Sequence, residues 1–267
     1  MRYRLTCLTP LLVGDGRKLS PIDYMVWKDH VNVLDQWRIF RLLAKGPPSA
    51  ILRMEHPMSK SLIAVLLVPL GLISGQELKP VALPTPQTSG GKPLMQVLKE
   101  RKSVRDFGPE QISRQMLSNL LWAAWGVNRE DGRRTAPSAS NRQEMDVYAI
   151  VAEGAYLYDA KGNALKPVTQ TDMRKLAGTQ AYAADAPVNL IYVADTAKLG
   201  GDDAARLATA NADTGFIAQN VYLFCASEGL GTVVRGSVNR ADLGKAMNLR
   251  AEQRIILAQS VGYPKRL

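Results

Sequence analysis

The stretch DAARLATANADTGFIAQNVYLFCASE, residues 203 to 228, decides the architecture. It is rich in Ala. Its larger apolar groups, Leu207, Phe216, Ile217, Val221, Leu223 and Phe224, fall with Ala210 on nearly every side of a helical wheel. A helix with no polar face has none to give to water, so it is expected to be central, enclosed by its own domain or by a partner subunit. Working outward, Val188 to Ala194 reads as a buried strand. Thr232 to Val234 and Ile255 to Val261 read as two more, with an Ala-Met-Leu helix between them near residues 241 to 249. Upstream, Asp146 to Ala152 and Ala155 to Tyr158 predict strands parted by the turn pair Glu153-Gly154. Ser113 is placed to cap a helix whose Met116, Leu117, Leu120, Leu121, Ala124 and Trp125 recur at three- and four-residue spacing and which ends near Gly126. A shorter helix is expected from Leu94 to Lys102, with a cationic last turn. Strands interleaved with helices around one central helix predict an α+β, three-layer fold.

The chain has 267 residues, 46 % of them apolar, enough for one sizeable core and a small second one. Its net charge of +10 makes polyanions, anionic surfaces or a phosphorylated cofactor plausible partners without choosing among them. Cys7 and Cys225 form no CxxC pair, which argues against a zinc knuckle or a dithiol motif. Both histidines, His30 and His56, precede residue 58, so no Ser-His-Asp or Cys-His site fits the later region.

Residues 58 to 75, MSKSLIAVLLVPLGLISG, have the layout of a secretory signal: Lys60, a twelve-residue apolar run from Leu62 to Ile73, then small residues. The run is short for a membrane span, which needs about 20 apolar residues. An uncleaved anchor and an ordinary buried segment are the alternatives. Export is expected if translation starts at Met58, and a cytoplasmic protein otherwise. LTPLLVGDGRKLSPIDYMVWKDHVNVLDQWRIFRLL, residues 8 to 43, resembles the opening of RAMP proteins of type III CRISPR complexes. The match stops there. Residues 1 to 57 are therefore expected to be loosely docked and without independent function, and no nucleic-acid partner is expected. Residues 76 to 93 carry four prolines and a Gly-Gly pair, which predicts an extended, solvated linker with the folded domain, 94 to 267, beginning near Pro93.

Four stretches can carry chemistry. ERKSVRDF, residues 100 to 107, gathers three cations around one hydroxyl. RTAPSASNRQ, residues 134 to 143, is turn-prone, with small side chains that admit a flat ligand and amides that can meet ring heteroatoms. GLGTVVRG, residues 229 to 236, is a Gly-flanked strand whose spacing fails the GxGxxG fingerprint. SVGYPKR, residues 260 to 266, ends a strand in Gly-Tyr-Pro and two cations. Taken singly, each is as well explained by a solvated helix end, a capped loop, a strand with turn glycines or a frayed tail.

In this fixed order the four resemble the nitroreductase superfamily of FMN-dependent oxidoreductases, over about residues 90 to 267, with closest similarity to the SagB/ThcOx-type dehydrogenase branch. The resemblance implies a three-layer α/β/α fold with a mixed or antiparallel sheet, and a domain-swapped homodimer with FMN at the interface. It implies that Arg101, Lys102, Ser103 and Arg105 hold the FMN phosphate and ribityl chain, with Lys265 and Arg266 as further cations. Arg-phosphate hydrogen bonds suit that role physically. Pro137, Ser138, Ala139 and Asn141 would border the flavin ring, and Val233, Val234, Arg235 and Gly236 its other edge, Gly236 offering its N–H near N5. The resemblance further implies hydride transfer from NAD(P)H through N5 to a nitroaromatic, quinone or similar acceptor in a ping-pong cycle, with no protein catalytic group and no metal. Oxidation of a peptide or other small substrate, or sequestration of flavin without turnover, are the alternatives.

Overall fold

The computed structural model describes residues 11–12, 18–19, 24–27, 30–33 and 78–265. It divides into two units, Met1–Ser74 and Gly75–Leu267. In the first, β1 (Leu11–Leu12) pairs antiparallel with β2 (Lys18–Leu19), and β3 (Tyr24–Trp27) with β4 (His30–Val33). The remaining expectations for residues 1 to 57 and the signal-like segment 58 to 75 fall outside the described residues, as does Arg266.

The second unit is built on a seven-stranded sheet of β5 (Val81–Ala82), β6 (Met145–Val151), β7 (Gly154–Asp159), β8 (Ala164–Thr169), β9 (Val188–Asp195), β10 (Gly231–Arg235) and β11 (Gln253–Gly262), ordered β10-β11-β9-β6-β7-β8-β5. Every pairing in it is antiparallel. Helices lie on both faces, so the α+β, three-layer expectation holds. One face packs α2 (Arg114–Trp125) and α4 (Asp203–Glu228) against Leu190, Tyr192, Ile256 and Val261. The other packs α5 (Arg240–Ala246) and Met173 and Ala177, which flank a 3₁₀ turn at Arg174–Leu176, against Ile191, Val193 and Ala258, and the short α3 (Ala181–Asp185) leads into β9. Burial on both faces is why β9 reads as an unbroken apolar run: all eight of its residues are buried.

Local chemistry sets the ends of these elements. Ser113 caps α2, its Oγ accepting the Met116 N–H at 3.1 Å. Asp202 caps α4 in the same way, and Gly229, at φ 74°, ends it. α1 (Leu94–Glu100) stops two residues earlier than expected, at Arg101. Gly154, read above as a turn residue, already belongs to β7; a Cβ there would lie 2.1 Å from the Thr169 carbonyl oxygen of β8. β8 itself escaped the sequence reading because Pro167 interrupts it. The proline sits opposite Tyr156, at the register shift of the β7–β8 ladder.

Two expectations need correction. Residues 78 to 93 are extended but not a free linker, and the fold does not begin at Pro93. Val81 and Ala82 pair with Leu165 and Ala164, and Leu83 is buried in the core. Further along, Gln87 N–H donates to Asn119 Oδ1 at 2.9 Å and Lys92 N–H to Ser227 Oγ at 3.0 Å. The prolines exclude helix, but an extended chain carrying Val81 and Leu83 can still add to an open sheet edge. Of the two enclosures expected for α4, its own chain supplies that of one side. Ala210, Ile217, Val221 and Cys225 face inward, whereas Phe216 stays 49 % exposed. If the strap belongs to the core, Leu83→Ala removes about 2 kcal/mol of stability, read from urea unfolding; a solvated linker predicts no change.

Candidate functional site

α1 delivers residues 101 to 108 to the open edge of β10. Ser103 forms an isolated parallel bridge with Thr232, and Val104 N–H donates to Thr232 O at 2.9 Å. The same stretch meets the C-terminal end: Gly108 N–H donates to Tyr263 O at 2.9 Å and Lys265 N–H to Asp106 O at 3.1 Å. The ERKSVRDF, GLGTVVRG and SVGYPKR stretches, far apart in the chain, therefore lie side by side. Lys102, Ser103, Arg105 and Lys265 are exposed and Arg101 is half-buried.

The residue that ties these stretches together was missed in the sequence. Tyr222, on α4 and 8 % exposed, accepts the Val234 N–H at 3.0 Å, and its hydroxyl is hydrogen-bonded to Ser103 Oγ at 2.9 Å. The Arg101 guanidinium lies 5.0 Å from its ring centroid, close enough for a cation-π contact. In the sequence Tyr222 is one more apolar position of α4, with no signal to mark it.

Edge-strand geometry then sorts the β10 residues. Backbone groups of alternate residues point off the sheet, and those of Thr232 and Val234 are taken by Val104 and Tyr222. Gly236, next in that parity and exposed, donates its N–H to no acceptor among the described residues. Val233 and Arg235 direct their side chains to the face opposite α4. Val233 packs with Phe107 and Ala186. The Arg235 guanidinium, 6 % exposed, donates to Ser260 Oγ at 2.7 Å, Ala177 O at 2.7 Å and Asn189 Oδ1 at 2.8 Å. It is an internal brace with neutral partners, and burial holds its pKa below the usual arginine value. Its side chain does not line the open edge, as the sequence reading expected, because the strand's period of two turns it inward.

The 134–143 stretch lies along α4 at a different level. Ala139–Asn141 form a 3₁₀ turn in which Ser140 (φ 52°) and Asn141 (φ 54°), followed by Gln143 (φ 46°), occupy the left-handed region. Pro137, Ala139 and Asn141 are exposed, while Ser138 Oγ accepts the Gln143 N–H at 3.1 Å. Ala139 N–H donates to Asp213 Oδ2 of α4 at 2.9 Å. Asp213 and Tyr222 are separated by about 14 Å of helix, at 1.5 Å per residue. One helix thus fixes both the cationic stretch and the turn. Cys225, nearby on α4, is a buried free thiol whose pKa burial pushes up, and so it is not a poised nucleophile.

A sequence model of the nitroreductase family matches residues 98–263. A protein of Methanocaldococcus jannaschii assigned as a nitroreductase is 31 % identical over 170 residues, 59 % of this chain and 85 % of that one. The crystal structure of a protein of Ralstonia eutropha assigned likewise is 38 % identical and has a TM-score of 0.67, covering 70 % of this chain and 90 % of that one. The NADPH:FMN oxidoreductase of Vibrio harveyi shares the fold at 19 % identity and a TM-score of 0.50, covering 65 % and 69 % of the two chains. Sequence and fold agree on the class, an oxidoreductase of the nitroreductase type. The chain belongs to the nitroreductase family. Among the described residues, no helix is long and apolar enough to cross a membrane.

Tyr222→Phe tests the latch. It leaves the Val234 N–H without its acceptor, so urea unfolding should show a loss of about 1–3 kcal/mol. Unchanged stability would mean that the latch holds nothing.

Proposed function

We propose that this protein binds FMN at the β10 edge and passes hydride from NAD(P)H to a nitroaromatic, quinone or similar acceptor in a ping-pong cycle, working as a homodimer. The observation that carries the reading is one juxtaposition. Exposed cations and a hydroxyl are held against the same strand edge whose next outward N–H, that of Gly236, has no acceptor among the described residues.

These residues fit the cofactor. Arg101, Lys102, Arg105 and Lys265 offer charge-assisted donors to a phosphate, and Ser103 a neutral one. The Gly236 N–H supplies a directed donor to a ring nitrogen. Pro137 and Ala139 present small, exposed surface to a flat ring, and Asn141 a polar edge. Bound FMN would supply the two-electron chemistry, and the chain's own part is to hold, orient and polarise it. Support for a second copy comes from α1 and α4, where Leu94, Met95, Leu98 and Phe216 are 61, 76, 45 and 49 % exposed. Apolar groups this exposed on adjoining helices suit an interface.

Purified protein should retain a yellow chromophore through ultrafiltration, lose its colour on addition of NADH or NADPH, and recover it with menadione. A protein that only sequesters flavin would keep its colour throughout. Arg101→Gln and Arg105→Gln should each weaken FMN binding about 10- to 100-fold, the equivalent of one charge-assisted hydrogen bond, and leave riboflavin binding nearly unchanged. Equal losses for the two ligands would place the phosphate elsewhere. Sedimentation should show a dimer that Met95→Glu with Phe216→Glu dissociates; a wild-type monomer would contradict the interface.

A further inference from the structure

The turn at 137–143 is held by an unusual device. Asp213 is 4 % exposed and Glu144 is fully buried. Glu144 directly follows the turn, its carboxyl meets that of Asp213, and among the described residues only its own backbone N–H approaches its oxygens as a donor, too poorly aligned for a full hydrogen bond. Two buried carboxylates side by side cannot both ionise cheaply. Asp213 already spends one oxygen on the Ala139 N–H. The proton therefore resides on Glu144, which can donate it to Asp213. Burial pushes the Glu144 carboxyl up to about 7, against the pull of its own backbone N–H and with the Asp213 carboxyl adding to the rise.

The other charged groups around the pair do not neutralise it. Lys198, beyond β9, favours the ionised form but spends its Nζ on Gln143 O at 3.1 Å. Arg142 is exposed and donates to Lys198 O at 2.9 Å. Arg206 shares α4 with Asp213, with its Nε buried and unpartnered. Asp146, on β6, accepts from Gln253 at 3.1 Å, and Asp195 from Arg250 at 2.7 Å. Among the described residues, no cation lies within 4 Å of either carboxyl of the pair.

What the pair holds is strained. Ser140, Asn141 and Gln143 are non-glycine residues at positive φ, a conformation that persists only where its surroundings over-determine it. The Asp213–Ala139 bond fastens this turn to the helix that also carries Tyr222.

We propose that Asp213 and Glu144 are positioning residues that hold the 137–143 turn as a one-proton carboxyl pair, so that losing the proton releases the turn and weakens binding of the flavin ring. The proposal rests on the flavin reading above. The sign follows from linkage: the closed turn raises the Glu144 pKa above the ordinary carboxylate range, so it is favoured with the proton on and is lost as pH rises through about 7.

The test is an equilibrium titration of the full chain with FMN, and with riboflavin because it lacks a titrating phosphate, from pH 5 to 8, which spans the interval between the ordinary carboxylate value and about 7. Hydrogen exchange of the Ala139 amide in flavin-free protein, corrected for its intrinsic rate, is followed over the same range. Wild type should weaken for both ligands, on the order of tenfold for a single linked proton, and Ala139 protection should fall in parallel. In Glu144→Gln the Kd should vary less than twofold across the range, and protection should stay level. Asp213→Ala should lose protection at every pH. A wild-type Kd and protection that ignore pH, or a Glu144→Gln slope equal to wild type, overturn the proposal. Should the variant fail to fold, wild-type exchange alone decides. If neither flavin binds while Ala139 protection still follows the pair, the flavin reading falls and the proton-held turn stands.

Discussion

The hydrogen bonds of the Tyr222 hydroxyl, to Val234 N–H and Ser103 Oγ, are the constraint on which the site depends. β10 is an edge strand, and an edge strand offers backbone donors to anything that can reach it. Here one is consumed from within by a side chain of α4, and Thr232 O is taken by the chain leaving α1. The next outward donor, at Gly236, meets no acceptor among the described residues. The site is therefore a sheet edge closed over part of its length, with the cations of residues 101 to 105 fixed beside the part left open.

A second consequence is that α4 sets the geometry of both halves. Its Tyr222 positions the cationic stretch, and its Asp213 positions the strained turn. A helix of 26 residues, capped at both ends and packed on the sheet, is a stiffer ruler than any loop. Its exposed side, with Phe216, leaves room for a second copy of the chain to complete the surroundings. A mainly apolar sequence is what the helix would need if, as proposed, one side meets its own sheet and the other a second copy.

Much of this was legible in the residues. The bounds of α4, the cap of α2 and the unbroken apolar run of β9 follow from periodicity and composition alone. The motif order singled out the cations, and the structure brings Ser103 and Lys265 beside β10 and Tyr263. What stayed hidden was decided by tertiary contact. β5 is two residues in a proline-rich segment that only an open sheet edge makes into a strand. Arg235 reads as a surface cation until the strand's alternation turns it inward onto Asn189 and Ser260. Tyr222 carries no local signal. Glu144 looks like a solvated charge after a polar turn, and only the crossing of α4 behind it makes a buried pair with Asp213.

The most direct test of the account is a crystal structure of the protein grown with FMN. The account predicts the phosphate among Arg101, Ser103 and Arg105, with the flavin ring within hydrogen-bond reach of the Gly236 N–H. A flavin bound away from the β10 edge, or with its phosphate far from these three residues, would contradict it.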